Sequence, residues 1–452
     1  MRPGGLRLLL CGTAAALLAS GCVPYRAAPL AEPAATLATP DMAIVSADAQ
    51  KIDRPYLTPE PIDWTQPLTP NALAIIAVLE NPELKAQRTR LGVVEAQAFA
   101  ARLLPDPAFQ ANFDKLVSGP DPYDAFGGQL AFDLNQLRTA KVARQNAEAS
   151  QRQVRLDMAW AEWQTAGQAR LQGVRILALE AQLLLAQAGA ASAQALFEQA
   201  RRAAGRGDIT AADLDTRRSA LTDATDKLGT ATTDLAAARG ELNKLLGLPP
   251  ETMLRLAVPP EPAVAPPAAT LVSQALARRL DLQALRAGYA VGEAEVHKAV
   301  LEQFPALSLT LAGARDTSGN STIGPAIGFS LPLWNRNRGG IAVAKATREQ
   351  LKAEYEARLF QTRAEVSAAS AALVLLREQR AALITQIPAS RAFAESSARA
   401  AKRGDLALAT AATAEQALRD RALRLAQLDQ QIAEQTIALE LLSGGPSQGW
   451  TR

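Results

Sequence analysis

The 452-residue sequence predicts a mainly α fold with a small β part, written twice along the chain as long helical hairpins that each carry two strands. Three observations predict it. Markers recur in one order at one spacing: Phe132 and Phe329 are 197 residues apart, Glu83 and Asp281 198, and Gly207-Asp208 and Gly404-Asp405 197, the mark of an internal duplication. From Ala326 to Gly340 a period of two gives way to helical spacing that meets no proline until Pro388, so a strand is expected to feed directly into a very long helix. Aromatics are only 4%, so the helices must pack through Ala and Leu in thin, closely spaced layers.

Taken in order, residues 1–21 read as a secretory signal, with Arg2 and Arg7 before an apolar core from Leu8 to Leu18. Leu18-Ala19-Ser20-Gly21-Cys22 resembles a lipobox, in which Cys22 becomes the acylated first residue; the alternative is an ordinary cut near Ala19. Cys11 leaves with the signal, so one cysteine remains and no intrachain disulfide is expected. Residues 22–70, rich in Pro, Ala and Thr, read as an extended, lipidated tether. Repeat 1 spans 71–248, a proline-rich linker 249–269, repeat 2 270–444 and a tail 445–452.

Within repeat 1 a helix is expected from about 71 to 104, with a break at Asn81-Pro82. Pro105-Asp106-Pro107 then starts a strand with Phe109, Ala111 and Phe113 on one side and Gln110, Asn112 and Asp114 on the other. The next strand, 128–134, sends out Leu130, Phe132 and Leu134. In repeat 2 the strand after Pro305 sends out Leu307, Leu309 and Leu311, and the last sends out Ile327, Phe329, Leu331 and Leu333, with Trp334 just past it as a member of an interfacial aromatic girdle. Strands of 8 or 9 residues reach about 26–30 Å, enough for an apolar band of about 25 Å, and a greasy outside with a polar inside is the inverse of a soluble barrel. Four strands cannot close alone. Two copies would give eight strands with a filled interior, and three would give twelve with room for an aqueous path.

The helix from about 136 to 204 would be about 100 Å long. Leu156, Trp160, Trp163, Leu171, Val174, Leu177 and Leu184 mark its apolar seam. The shorter helices, 71–104 and 209–246, would match it if stacked end to end. At the far ends, Gly205-Arg206-Gly207-Asp208 and Arg403-Gly404-Asp405 read as turns in which glycine ends one helix and the aspartate caps or charges the N-terminus of the next.

No enzyme site is expected. His297 is the single histidine and reads as a solvated surface residue. The ligands of a tetrahedral metal site are missing, as is a phosphate-binding Gly-Lys-Ser/Thr loop, so no metal and no cofactor are predicted. The formal net charge is +3, or +1 without the signal (46 basic against 45 acidic residues), which points to no nucleic-acid partner. Beyond the signal no apolar run of about 18 residues is read, so a membrane would be crossed by strands.

The ordered set of elements, together with Leu331-Pro332-Leu333-Trp334-Asn335-Arg336, resembles the TolC family of outer-membrane efflux proteins over residues 70 to 445. The resemblance implies a homotrimer in which the duplicated hairpins form an α-helical barrel and the strands one shared 12-stranded transmembrane β-barrel. It also implies a seat in outer-membrane lipid, a periplasmic adaptor (membrane fusion protein) that meets the tips at Gly207, Asp208, Gly404 and Asp405, and an inner-membrane pump of the RND type. Some members narrow the entrance with acids six and nine positions after the second tip glycine; here those are Thr410 and Thr413, leaving Asp213 and Asp215 in repeat 1 as the remaining entrance candidates. Asn81-Pro82-Glu83-Leu84, Leu104-Pro105-Asp106-Pro107 and Pro332 to Gly339 resemble heavy-metal cation exporters somewhat more than drug ducts. The rival reading, a periplasmic adaptor lipoprotein without a pore, calls for one hairpin between Gly-rich lipoyl-like halves, where this chain has two long-helix units.

Overall fold

The computed structural model describes residues 25–260 and 263–445. The signal, Cys22 and the tail from residue 446 lie outside them. Residues up to Thr39 form a unit of their own, whose described part carries one short helix, α1 (Pro33–Thr36). Everything from Pro40 belongs to the second unit. There the order is α2 (Met42–Ala49), α3 (Pro70–Glu80), α4 (Pro82–Ala100), β1 (Ala108–Asp114), β2 (Ala125–Asp133), α5 (Leu134–Gly205) and α6 (Ala211–Leu245). Repeat 2 follows with α7 (Ala268–Arg278), α8 (Leu280–Leu301), β3 (Leu307–Arg315), β4 (Ser321–Phe329), α9 (Arg338–Arg403) and α10 (Leu408–Ser443).

The 72 residues of α5 and the 66 of α9 make rods of about 108 and 99 Å. α5 buries Ala166, Gly167, Ala169 and Gly173 beside Trp163 and Val174, and α9 buries Thr362, Val366, Ala369 and Leu373 at helical spacing. Glycine is needed where neighbours press closest: a Cβ on Gly167 would lie 2.4 Å from Leu441, and one on Gly173 2.7 Å from Leu73. Leu184, expected in the seam, is exposed, because the close approach is made by Ala and Gly rather than by leucines. Each rod also contains an 18-residue stretch apolar enough, by length and composition, to cross a membrane, which corrects the expectation that none exists. Pro388 sits inside α9, which continues through it although proline leaves the carbonyl four residues back without its helical donor.

The half-length helices stack in pairs at one level. In repeat 1, Asn81 ends α3 and caps α4: its Oδ1 accepts from Leu84 N–H at 3.0 Å, and its Nδ2 donates to the Leu245 carbonyl at 2.9 Å. Gly247 follows α6 at φ +65°, and a Cβ there would lie 2.6 Å from the Glu80 carbonyl oxygen. Repeat 2 builds the same joint with other residues. Arg279 stands between α7 and α8 and donates to the Leu442 carbonyl at 3.5 Å, while Gly444 follows α10 at φ +73° against the Arg279 backbone. Above the joint the helices pack in the order α4, α5, α8, α9; below it the order is α6, α5, α10, α9.

Residues 40–70 overturn the tether reading over most of its length. Val45, Ala49, Ile52, Leu57, Ile62 and Leu68 are buried in one core with α3, the middle of α5 and the end of α6. Beyond α2 the apolar side chains are spread thinly among prolines and polar residues, so no period betrays them, but all join the same core as the helices. Leu68 also pairs with Leu256 of the inter-repeat linker in a parallel bridge. A second, smaller core joins Leu271 and Ala275 of α7 to Val366, Ala369 and Leu373 of α9 and to Ile432 and Leu439 of α10.

The four strands form one antiparallel sheet in the order β1-β2-β3-β4. Several expected bounds move. The helix predicted to reach 104 ends at Ala100, and β2 runs 125–133, because Asp133 caps α5 and makes Leu134 its first residue. β4 ends at Phe329, so Leu331 and Trp334 lie past the strand in a connection of residues 330–337. Pro332 has no N–H to give a neighbouring strand, and Arg336 and Asn337 turn the chain through left-handed φ values of 46° and 51°. The strand therefore reaches its helix through a loop rather than directly.

Candidate functional site

The register places the outward residues that lie within the strands on a common face, since directly paired residues in an antiparallel sheet share a side. Phe109 pairs with Leu130 and Phe113 with Phe126. Leu130 pairs with Leu311 and Phe132 with Leu309. Leu307 pairs with Phe329 and Leu309 with Ile327. This face is exposed, Ile327 to 69% and Phe109 to 71%. On the other face, Gln110 pairs with Gln129, Ser308 with Gly328 and Thr310 with Ala326, all polar or small. Strands of 7 to 9 residues span about 23–30 Å. Both edges, β1 and β4, have an open side in the single chain.

At one end of the sheet the two hairpin turns are tied together. Thr317 Oγ1 donates to Asp121, Tyr123 N–H donates to the Thr317 carbonyl at 3.2 Å, and the Arg315 guanidinium lies 4.4 Å from the Tyr123 ring centroid. The long helices leave from the opposite end.

The hairpin tips lie level with one another. Trp163 Nε1 donates to the Leu441 carbonyl at 3.2 Å, Arg170 pairs with Glu440 at 2.7 Å, Gln182 donates to Gln430 at 3.4 Å, and Arg419 to Ser192 at 3.5 Å. These contacts run α5 and α10 antiparallel to their common end. At each tip the glycine is left-handed, φ +80° at Gly207 and +83° at Gly404, and the next N–H closes a six-residue loop: Asp208 donates to the Ala203 carbonyl and Asp405 to the Ala400 carbonyl, both at 3.0 Å. Neither aspartate caps the following helix. Asp208 accepts from Arg206 Nε at 2.7 Å, and Asp405 from Arg403 Nε at 2.8 Å, so each tip is a small neutral ion pair. Capping needs the side chain beside the first free N–H groups, and both aspartates stand two residues too early.

That place is taken in repeat 1 by Thr210, in a capping box with Asp213: Thr210 Oγ1 accepts from Asp213 N–H at 3.1 Å, and Asp213 accepts from Thr210 N–H at 3.1 Å and from its hydroxyl at 2.7 Å. The Thr210 hydroxyl and N–H hold the Asp213 carboxyl below its ordinary range. Asp215 pairs with Arg218 at 3.5 Å. In repeat 2, Ala407 stands at the N-cap with no side chain to offer. Thr410 and Thr413 line an open groove of about 680 Å³ with Ser390, Phe393 and Arg421, just beyond Pro388. The aspartate and threonine candidates thus sit on different helices at the tip end of each hairpin.

Sequence reasoning missed a charged layer at the joint. Glu162 is 2% exposed and accepts from Arg54 Nε at 2.6 Å, Arg88 Nη2 at 2.8 Å and the Tyr56 hydroxyl at 3.0 Å. Burial pushes its carboxyl up, but the two arginines more than offset this and hold it below its ordinary value. Tyr56 also meets Trp163 edge-on at 5.0 Å, and burial and the Glu162 charge raise its hydroxyl far above the usual range. In repeat 2, Arg279 is 1% exposed, pairs with Asp281 at 2.8 Å and lies 5.1 Å from the Trp160 ring centroid. The one sequence signal was an arginine at the position where repeat 1 has Asn81. Among the described residues no cluster of His, Cys, Asp and Glu could hold a metal ion, and His297 is exposed on α8.

Residues 271–445 match the sequence profile of the outer membrane efflux protein family. No curated protein matches the chain in sequence. Solved structures share its fold. CusC, described for the conformational changes of folding and transmembrane channel formation, is 17% identical with a TM-score of 0.66, covering 90% of this chain and 99% of its own. The CmeC outer membrane channel of Campylobacter jejuni is 14% identical with a TM-score of 0.69, covering 93% and 94%. The outer membrane protein VceC of Vibrio cholerae is 17% identical with a TM-score of 0.67, covering 83% and 96%.

Proposed function

We propose that the chain is the outer-membrane channel of a tripartite efflux system, because residues 271–445 match the outer membrane efflux protein profile and the first repeat has the same build. It is a passive exit duct for substrate delivered by an inner-membrane pump and a periplasmic adaptor. The observation that carries this is a sheet with one exposed apolar face and one polar or small face, continuous with two rods of about 100 Å. Such a sheet is stable only where lipid covers the apolar face and water the other. With four strands and two open edges per chain, closure comes from further copies of the chain, three of which give twelve strands around an aqueous path. Below the joint, α6 and α9 likewise bound the helix layer, and each meets its neighbour in the next copy.

Three finer assignments belong to the same proposal. Cys22 anchors the chain to outer-membrane lipid through its acyl group. The paired-charge tips at Gly207-Asp208 and Gly404-Asp405 receive the adaptor, which works with a pump of the RND type. The cargo is heavy-metal cations, on the resemblance of Asn81-Pro82-Glu83-Leu84 and the Pro332 to Gly339 block; Asp213 and Asp215, engaged by Thr210 and Arg218, contribute little to selecting it.

Replacing Cys22 by Ala while keeping export tests the barrel: the protein stays in the membrane and needs detergent. A folded monomer freely soluble in buffer would sink the proposal. Charge reversal of Asp208 and Asp405 together leaves trimer yield intact and lowers export, and full export would remove the tips from the mechanism. A deletion strain sensitive to metals and complemented by the gene supports the cargo, whereas sensitivity to drugs and dyes alone overturns it.

A further inference from the structure

The connection between β4 and α9 differs from its counterpart in repeat 1, where Asp133 caps α5 directly and the nearby Arg138 is engaged by the Pro305 carbonyl at 3.1 Å and by Asn135. In repeat 2 the chain makes an exposed turn over 330–337. Trp334 is 87% exposed, and Leu331 and Leu333 are exposed beside it. Arg336 and Arg338 are also exposed, and among the described residues neither guanidinium makes a hydrogen bond or an ion pair. No acidic residue occurs from Thr317 to Gln350 except Glu349, well up α9.

The turn is held in place. Asn337, left-handed like Arg336, donates through Nδ2 to the Ala299 carbonyl at 2.9 Å and to Glu302 at 3.4 Å. Gly340 is required beneath it, since a Cβ there would collide with the Asn337 side chain. Left-handed backbone at a long side chain is costly and persists where neighbours fix it. Here the fixed backbone holds one aromatic and two arginines together at the end of the apolar sheet.

We propose that residues 331–338 form a phospholipid clamp, in which Trp334, Leu331 and Leu333 enter the membrane interface and Arg336 and Arg338 bind the phosphate of an anionic glycerophospholipid. The inference rests on the reading of the sheet as membrane-spanning. Indole rings favour the interface, and planar guanidinium groups match phosphate oxygens in pairs. The clamp lies at the helix end of the sheet, opposite the tied hairpin turns, so its ligand is a glycerophospholipid of the leaflet facing the long helices and not the phosphorylated saccharide lipid of the other leaflet. Each arginine contributes about fivefold preference for anionic over zwitterionic lipid, and the two together about 25-fold.

The test reconstitutes the full chain in bilayers of equal phosphatidylglycerol and phosphatidylcholine, extracts it in mild detergent and measures the retained phospholipids. Wild type retains mainly phosphatidylglycerol, and R336Q/R338Q, which changes only exposed side chains, loses that preference by an order of magnitude or more. Equal ratios for the two proteins would overturn the clamp. Acyl-brominated lipid quenches the emission that wild type has in excess of Trp334→Phe, and no quenching would equally overturn it. Displacement of phosphatidylglycerol from the wild type by lipid A would overturn the assignment to this leaflet. Failure of the wild type to enter bilayers at all would instead refute the membrane-spanning sheet.

Discussion

Replacing Glu162 by Gln isolates what binds residues 42–68 to the helices. The substitution keeps the shape and removes one charge that is 2% exposed and faces two arginines at 2.6 and 2.8 Å. Breaking a buried pair costs about 3–5 kcal/mol, but the Arg54 and Arg88 side chains are 39% and 31% exposed, and solvent screens part of that loss, leaving about 2–3 kcal/mol. The readout is local. Leu57 N–H donates to the Arg54 carbonyl at 3.1 Å, so its hydrogen exchange reports release of the strap. An opening easier by 2–3 kcal/mol speeds that exchange about 30- to 140-fold at neutral pH. The effect has a defined pH dependence. The folded-state pKa of Glu162 lies below its unfolded value of about 4.3, so its contribution is complete above that pH and is lost as pH falls through the folded value. Wild type and variant therefore converge only in acid, once the pH has fallen through that depressed folded value. Leu57 exchange within threefold of wild type at pH 7, or a difference that persists in acid, would refute the reasoning.

Three further outcomes follow from the geometry. Gly247→Ala adds a collision with the Glu80 carbonyl to the left-handed strain of about 1–2 kcal/mol, whereas Gly207→Ala, with nothing near its Cβ, carries the strain alone; thermal midpoints in detergent separate the two, and equal losses would contradict the close approach at the joint. Thr210→Ala costs the first turn of α6 about 1 kcal/mol, seen as faster exchange at the Asp213 and Leu214 amides, down to the behaviour of the uncapped start of α10. Pro388→Ala restores the N–H missing opposite Ile384 and stiffens the end of α9 by about 1–3 kcal/mol, measured as slower exchange between residues 385 and 393.

Much of the fold is legible because periodicity carries it. The 197-residue offset, the alternation of the strands and the glycine stops each follow from local steric rules, and the tip glycines Gly207 and Gly404 are left-handed where the sequence expects them, as Gly247 and Gly444 are at the joint. What escaped was held by contacts between distant residues. The strap from Met42 to Leu68 has only the two turns of α2 and is otherwise irregular, and its buried side chains join a core supplied by distant helices. The alternation of Leu331 and Leu333 continued past the true end of β4, where the missing N–H of Pro332 and the left-handed Arg336 and Asn337 outweigh it. Asp208 and Asp405 were given to the wrong helix because their arginine partners, two residues earlier, compete for the carboxylates.

The paired joints at Asn81 and Arg279 have a mechanical consequence. Four of the helices stop there, each end resting on the start of another through a glycine and a carbonyl contact, while α5 and α9 pass the same level unbroken. Across each joint the chain continues only through one extended residue, Asn81 or Arg279, and the ends of α6 and α10 meet it through side-chain and glycine contacts alone, so the joint lacks the unbroken helical hydrogen bonding of the rods beside it. Rigid coupling between the tips and the sheet therefore rests on two rods per chain, and the joints are the levels at which the remaining helices can give.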